Sequence, residues 1–335
     1  MMRIRNFHEK QAAKPCKLLT LGIIVLFLTG CASYQPFDPE TVRSHPVDSK
    51  PDVPEIIRAN MGSQVEFIAN AEGIKIPVRV FGENNKAIPV LMIHGLQSHS
   101  GWFVQSAYYI ASLGLPVYQI DRRGSGLSSE PRGHAASYDD MVNDILTVAK
   151  HAMEQHGVDK IHLLGHCFGA IPSTAFACRY PEILQSLILC TPAIYTQTGV
   201  YFGETMQILE SELTHKHKYI PIHINPDQFT DSEKYLRFIR GDKLTLKQVT
   251  TALYFQVPLA RHYINKNIKQ ITMPVFMGMA GKDTICNNSK NGTFFNEIPS
   301  QRKMIVTYER AKHILEFSHD RDIFFNDLAA WFSTL

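Results

Sequence analysis

The sequence lacks several motifs that carry well-known chemistry. No two of its six cysteines have C-x-x-C spacing, so neither a zinc ribbon nor a thioredoxin-like redox site is indicated. It contains no G-x-x-x-x-G-K-[ST] phosphate loop and no H-E-x-x-H helix. It also contains no G-x-S-x-G segment, which is the usual form of a serine nucleophile turn. From these absences we expect a site that holds no metal and needs no cofactor.

The chain carries little net charge outside its first 30 residues. It has 34 Lys and Arg against 31 Asp and Glu, for a formal charge of +3. Five basic residues and one acid give the first 30 residues +4, which leaves −1 for the remainder. A body so close to neutral offers no basic surface to a phosphate backbone, and we exclude nucleic acid as a partner. With 44% hydrophobic residues, the chain can bury a large core.

An apolar run follows the basic N-terminus, and it is short. Residues 18–28 form this run of 11 residues without a charge, whereas a membrane-spanning helix needs about 20. Its length and its basic flank are typical of a signal peptide. The run ends in Leu28-Thr29-Gly30-Cys31, which resembles a bacterial lipobox, a signal in which the cysteine is lipidated. We predict that residues 1–30 are a lipoprotein signal peptide, with an uncleaved N-terminal anchor as the alternative.

The predicted lipid on Cys31 sets the expected location. Ala32 after it is compatible with transfer to the outer membrane, so we expect a protein of the bacterial cell envelope, anchored there and facing the periplasm. Residues 31–60 contain five prolines among polar neighbours and are predicted to form an extended tether. Cys167, Cys178, Cys190 and Cys286 would then lie in an oxidising compartment, where a Cys190–Cys286 disulfide is one open alternative.

From residue 61 onward, short apolar runs alternate with helical patterns. The predicted strands cover 63–70, 73–82, 88–93, 116–121, 160–164, 185–190, 273–279 and 302–307. The predicted helices cover 101–113, 136–155, 168–180, part of 286–298, and 319–334. This alternation predicts an α/β fold, with a mostly parallel central sheet and helices on both faces. Residues 194–268 interrupt it with helical pieces at 231–240 and 244–255, and we predict that they form a helical cap inserted into one domain, 61–335.

One strand-to-helix junction has the spacing of a nucleophile elbow. The predicted strand 160–164 leads into Gly165-His166-Cys167-Phe168-Gly169, with cysteine at the position where serine is usual. Such a turn places the thiol at a helix N-terminus, whose positive end favours the thiolate. The alternative is a structural cysteine in a glycine-rich turn.

Two further residues follow later predicted strands. Acyl transfer needs a base and an acid that orients the base, and in this order of elements they come after the nucleophile. Asp283 follows strand 273–279, and His313 follows strand 302–307 and precedes the last helix. Because the carboxyl ends of parallel strands meet at one edge of a sheet, we predict a catalytic triad of Cys167, His313 and Asp283.

These segments together resemble the α/β-hydrolase superfamily, and within it the lysophospholipase and monoacylglycerol-lipase-like branch of serine aminopeptidase S33 type. The matching segments are His94-Gly95, residues 121–128, residues 165–169, residues 278–283 and residues 313–316. The resemblance covers about 63–335 and implies an α/β-hydrolase fold. It also implies an oxyanion hole made by the backbone N–H groups of Leu96 and Phe168. Trp102 and His166 are candidates for the substrate pocket, with a core position as the alternative for Trp102.

Cys167 departs from this branch, in which serine is usual. Cysteine elbows resembling this one occur in related dienelactone hydrolases and polyhydroxyalkanoate synthases. A cysteine nucleophile forms a thioester intermediate, which amines and alcohols can capture as well as water. We therefore expect an acyl hydrolase or acyltransferase that acts on an ester or thioester of a hydrophobic, lipid-like substrate. The alternatives are an inactive remnant and a non-catalytic, membrane-anchored lipoprotein that binds a hydrophobic ligand or partner in the cap groove.

Overall fold

The structure is a computed structural model that describes residues 63–82 and 86–335. The predicted signal peptide, the tether and Cys31 lie outside these residues. Among the described residues, no helix combines the length and the hydropathy that a membrane crossing requires.

Eight strands form one sheet, in the order β1-β2-β4-β3-β5-β6-β9-β10. β1 pairs antiparallel with β2, and β2 with β4, whereas the remaining neighbours are parallel. The mostly parallel sheet expected from the sequence is confirmed. The strands are β1 (Val65–Ala69), β2 (Lys75–Phe81), β3 (Val90–Ile93), β4 (Val117–Ile120), β5 (Ile161–His166), β6 (Leu184–Cys190), β9 (Val275–Ala280) and β10 (Lys303–Tyr308).

Five helices flank this sheet, and each follows one of its parallel strands. They are α1 (Val104–Ser112), α2 (Tyr138–His156), α3 (Ala170–Arg179), α8 (Asn288–Glu297) and α9 (Arg321–Ser333). Every residue of β3, β4 and β5 is buried, as expected for parallel strands that are covered on both faces. This double burial explains why the three strands appear in the sequence as short runs with few polar residues.

The segment between β6 and β9 carries the remaining elements. They are α4 (Phe202–Thr214), β7 (Tyr219–Pro221), α5 (Pro226–Phe229), α6 (Glu233–Gly241), β8 (Gln248–Thr250) and α7 (Thr251–Asn267). β7 and β8 form a separate antiparallel pair. The predicted helix 244–255 is wrong in its first half, because the Thr250 side chain accepts the Leu253 N–H at 3.3 Å and so caps a helix that begins at residue 251.

The carboxyl ends of four parallel strands of the sheet carry the candidate residues. β3 leads to Leu96, β5 to Cys167, β9 to Asp283, and β10 to His313. In open α/β sheets, ligands bind in the crevice outside these strand ends. The topology therefore brings together residues that lie up to 217 positions apart in the chain.

Candidate active site

The turn after β5 holds Cys167 in a backbone conformation that residues with side chains rarely adopt. Its φ angle is +50°, in the left-handed region. The two flanking glycines are required by close contacts: a Cβ on Gly165 would lie 2.8 Å from Ala170 Cα, and one on Gly169 would lie 2.3 Å from the Ile93 carbonyl oxygen. The sharp turn places the thiol above the strand ends, as the G-x-C-x-G pattern predicts.

Asp283 and His313 form a buried hydrogen-bonded pair. His313 Nδ1 lies 2.9 Å from Asp283 Oδ2. The second carboxylate oxygen of Asp283 accepts the N–H groups of Ile285 and Cys286, at 2.8 and 3.0 Å. These bonds fix the carboxylate, which in turn orients the imidazole. Nε2 of His313 is buried without an oxygen or nitrogen partner among the described residues.

Cys167 and His313 each shift the pKa of the other. The pKa of the Cys167 thiol lies well below its ordinary value, because the Cys286 thiol hydrogen-bonds to it and His313 lies beside it, against the effect of burial. Burial acts to lower the pKa of His313, but Asp283 and Cys167 together hold that pKa well above its usual range. Both directions favour a Cys167 thiolate beside a His313 imidazolium.

A buried arginine, Arg122, forms hydrogen bonds to the backbone segment that follows β3. Arg122 Nη2 donates to the carbonyl oxygens of Gly95 at 2.7 Å and of Leu96 at 3.1 Å. Its guanidinium carbon also lies 4.8 Å from the centre of the Phe168 ring. Burial lowers the pKa of Arg122 to about 10, against the opposing effect of the Cys167 charge, so the group stays cationic at neutral pH. Arg122 thus connects the two segments that carry the Leu96 and Phe168 amides.

A cavity of about 380 Å³ opens beside Cys167. Leu96, Cys167 and Phe168 form its floor, and residues of the segment between β6 and β9 form much of the rest. The lining is predominantly apolar and includes Ile171, Ile194, Ile208, Leu209, Ile222 and Val257. Such a cavity suits a hydrophobic chain, and it places that chain within reach of the thiol.

Trp102 and His166 lie away from this cavity. Trp102 is fully buried, donates to Asp242 Oδ2 at 2.7 Å, and packs edge-on against Phe229. His166 is stacked on Phe103, and burial lowers its pKa to about 3, so it is neutral. Both residues border a small pocket of about 10 Å³ on the side of Cys167 that faces His313. The structure thus places Trp102 in the core, where it contacts residues of the segment between β6 and β9.

One group of side chains has donor atoms close enough to suggest a metal ligand set. Donor atoms of Asp283, Cys286 and His313 lie within 4.8 Å of one another. However, the Asp283–His313 hydrogen bond and the two backbone bonds to Asp283 already occupy the carboxylate. We therefore assign these groups to the Cys167 site rather than to a metal centre.

The described cysteines are all free thiols, so the Cys190–Cys286 disulfide left open by the sequence is not formed. Cys286 instead lies beside Cys167, and its Sγ donates to the Thr191 carbonyl oxygen at 3.1 Å. Sequence reasoning did not assign a functional role to Cys286. Its spacing of three residues from Asp283 was the available signal.

Known proteins match the chain over most of its length. The family model described as serine aminopeptidase, S33, matches residues 84–320. A monoacylglycerol lipase of Mycolicibacterium smegmatis is 32% identical over 111 residues, which cover 33% of this chain and 40% of that protein. A monoglyceride lipase of Rattus norvegicus is 21% identical over 255 residues, which cover 74% of this chain and 82% of that protein.

A solved structure shows the same fold. The crystal structure of Paleococcus ferrophilus monoacylglycerol lipase matches with a TM-score of 0.68 at 19% identity, covering 76% of this chain and 97% of that one. At this level of identity the likeness concerns the fold, including the mostly parallel sheet and the helices that flank it.

Proposed function

The chain belongs to the serine aminopeptidase S33 family and is a hydrolase of the α/β-hydrolase type, and from this premise we propose that it transfers acyl groups through Cys167. The proposed substrate is an ester or thioester of a hydrophobic, lipid-like acyl group. The observation that carries the proposal is the buried Cys167–His313–Asp283 arrangement at the floor of an apolar cavity of about 380 Å³.

In the first half of the proposed reaction, the Cys167 thiolate attacks the carbonyl carbon of the substrate. The carbonyl π electrons move onto oxygen, and the N–H groups of Leu96 and Phe168 stabilise that oxyanion. The intermediate then collapses: the carbonyl re-forms, the bond to the leaving oxygen or sulfur breaks, and the His313 imidazolium gives that atom its proton. The products are a free alcohol or thiol and an acyl-Cys167 thioester.

In the second half, neutral His313 removes a proton from an incoming acceptor, which attacks the thioester. Collapse of the second tetrahedral intermediate returns the electron pair to Cys167 and restores the thiolate–imidazolium pair. Water as acceptor gives a carboxylic acid and makes the protein a hydrolase of lipid esters. An alcohol or amine as acceptor would make it an acyltransferase. Asp283 orients His313 in both halves through its 2.9 Å bond to Nδ1.

Covalent trapping tests this proposal directly. The protein is incubated with p-nitrophenyl butyrate and with a long-chain monoacylglycerol, and peptide mass spectrometry locates the acyl mass. We expect the adduct on Cys167, none on Cys167→Ala, and acylation about 10²- to 10⁴-fold slower in His313→Ala. His319→Ala, a change at an exposed histidine, is the matched control.

Absence of an adduct on folded wild-type protein would contradict the enzymatic proposal. It would leave the alternative in which the apolar cavity binds a hydrophobic ligand without reacting with it. Product analysis then separates the two enzymatic forms, since a free carboxylic acid identifies hydrolysis and an acylated acceptor identifies transfer.

We propose in addition that the protein is held at a bacterial outer membrane, facing the periplasm, by a lipid on Cys31. The support is the Leu28-Thr29-Gly30-Cys31 segment at the end of the apolar run. The mature protein should begin at Cys31 with the mass of an acyl-modified residue and should partition into detergent. Cys31→Ser should abolish both properties, whereas Cys16→Ser, in the segment removed with the signal, should preserve them.

A further inference from the structure

The apolar cavity beside Cys167 has a cationic residue in its lining. The described residues that border the cavity include no Asp, Glu or Lys, and their single arginine is Arg261, on α7. A guanidinium stays positively charged at every pH at which proteins fold. The function proposed above, which uses a hydrophobic acyl group, gives this charge no task.

Arg261 lies at the mouth of the cavity, where the lining reaches solvent. Arg261 itself is half-buried, and three other residues of the lining, Thr196, Gly199 and Pro258, are exposed. Cys167, at the floor, is only 8% exposed. The cavity therefore leads from an entrance that carries a cation to a buried thiol.

An aromatic ring supports the Arg261 side chain. The guanidinium carbon lies over the Tyr195 ring, 5.5 Å from its centre. Tyr195 is fixed in turn, because its hydroxyl accepts from Asn265 Nδ2 at 3.1 Å and its N–H donates to Asn291 Oδ1 at 3.1 Å. Stacking on an aromatic face restricts a guanidinium and leaves the N–H groups at its edge available to a ligand.

No carboxylate of residues 63–82 and 86–335 pairs with Arg261, and none of the hydrogen bonds in this part of the chain uses its guanidinium. Glu204, on α4, has both carboxylate oxygens engaged elsewhere. Oε1 lies 2.7 Å from Nε2 of His223, which borders the cavity, and Oε2 accepts the Tyr201 N–H at 2.8 Å. The positive charge of Arg261 is therefore available to an anion that enters the mouth.

A guanidinium binds carboxylates and phosphates through two parallel N–H···O bonds. We propose that Arg261 binds an oxyanion of the substrate, a carboxylate or a phosphate, at the mouth of the cavity. The apolar part of the same molecule then lies along Ile208 and Val257, and its ester reaches Cys167. The proposed substrate is thus an anionic amphiphile. The proposal rests on the function proposed above for the reacting ester, but binding of the anion does not require that Cys167 react.

Binding of unreactive amphiphiles tests the anion site without turnover. Isothermal titration gives the Kd values of octyl phosphate, nonanoate and octan-1-ol in wild type, Arg261→Met and Arg261→Lys. We expect the ratio of the octan-1-ol Kd to the octyl phosphate Kd to fall about 10-fold in Arg261→Met, because a charge-assisted pair of hydrogen bonds is lost. Arg261→Lys keeps the charge but not the paired donors, so its ratio should be intermediate.

Lys266→Met is the matched control, because it removes the same formal charge from an exposed position on the same helix, outside the lining of the cavity. Its Kd ratio should equal that of wild type. In wild-type protein, raising NaCl from about 0.05 to about 0.5 M should weaken the binding of octyl phosphate more than that of octan-1-ol, because salt screens a partly exposed charge pair.

Two pairs of esters distinguish the part of the substrate that carries the anion. Mono-p-nitrophenyl sebacate carries it at the end of the acyl chain and is compared with p-nitrophenyl decanoate. 1-Octanoylglycerol 3-phosphate carries it on the leaving group and is compared with 1-octanoylglycerol. A preference in kcat/KM for the anionic member of one pair, reduced in Arg261→Met, identifies that part of the substrate.

Equal Kd ratios in wild type and Arg261→Met would overturn the proposal, as would an equal loss in Lys266→Met. Neutral esters that react as well as their anionic partners in both pairs would overturn the assignment of the anion to the substrate. A Kd ratio that depends on Arg261, together with no acyl adduct on Cys167, would reject the enzymatic function and keep the anion site. An acyl adduct with a ratio that is independent of Arg261 would do the reverse.

Discussion

Arg122 Nη2 donates a 2.7 Å hydrogen bond to the carbonyl oxygen of Gly95. The same nitrogen reaches the Leu96 carbonyl, and the guanidinium lies against the Phe168 ring. A Gly95 carbonyl that points toward Arg122 turns the following N–H, that of Leu96, away from Arg122, because the peptide unit is planar and trans. The buried cation therefore sets the direction of the Leu96 amide, one of the two proposed to stabilise the oxyanion.

Arg122→Met should slow acylation of Cys167 by about 10- to 100-fold, less than the roughly 10²- to 10³-fold that follows removal of an oxyanion donor itself. The measurement is the rate of adduct formation per folded molecule. Arg123→Met is the matched control, because Arg123 pairs with Asp144 at 2.7 Å. It should destabilise the protein while leaving the acylation rate close to that of wild type. Equal rates for the two variants would refute a role of Arg122 in orienting the Leu96 amide.

Gly169→Ala should destabilise the protein by roughly 3 kcal/mol and disrupt the elbow, because the new Cβ would lie 2.3 Å from one backbone carbonyl and 2.6 Å from the next. Gly292→Ala is the matched control, since a Cβ there meets nothing within 4 Å on a helix. That change should stabilise the protein by about 0.5–1 kcal/mol. Urea unfolding measures both effects, and a Gly169→Ala variant as stable as wild type would contradict the packing described for the turn.

Glu316 should make stability depend on pH. The carboxyl group is fully buried and bonds to the Ser106 N–H and hydroxyl, and burial raises its pKa to about 8. From about pH 4.5 to 8 the folded state keeps a proton on Glu316 that the unfolded chain has released. The free energy of unfolding therefore falls as pH rises, by about 1.4 kcal/mol per pH unit.

Glu316→Gln removes that proton exchange while it retains an acceptor for Ser106. Unfolding free energies measured at pH 5 and pH 8 should therefore differ less in Glu316→Gln than in wild type. Glu309→Gln, at an exposed acid, should keep the wild-type dependence. The same slope in wild type and in Glu316→Gln would show that Glu316 is ionised in the folded protein.

Ile208→Trp should shorten the acyl chain that the site accepts. Ile208 lies on α4 and borders the cavity of about 380 Å³, which a larger side chain would partly fill. The value of kcat/KM should fall for p-nitrophenyl decanoate and stay near that of wild type for p-nitrophenyl acetate. Ile323→Trp, at an exposed position on α9, should change neither value. Equal losses for both esters in Ile208→Trp would indicate that the chain lies elsewhere.

The strands and the candidate triad could be predicted from the sequence for local reasons. Short apolar runs predict buried strands, and residues that follow parallel strands meet at one edge of the sheet. The triad positions therefore required only the order of the elements and the glycines around Cys167. The segment between β6 and β9 was harder to predict, because an apolar residue such as Val249 suits a helix or a strand equally, and pairing with β7 places it in β8.

The sequence by itself determined an α/β chain with a cysteine elbow, a later Asp and a His between the last strand and the last helix, because each is specified by neighbours within a few residues. Only the tertiary structure decided that Arg122 holds the segment after β3, that Trp102 packs in the core, and that Cys286 lies beside Cys167. Cys167 and Cys286 are 119 positions apart. Their contact depends on how β5, β6 and β9 stand next to one another, and no local pattern in the chain encodes that spacing.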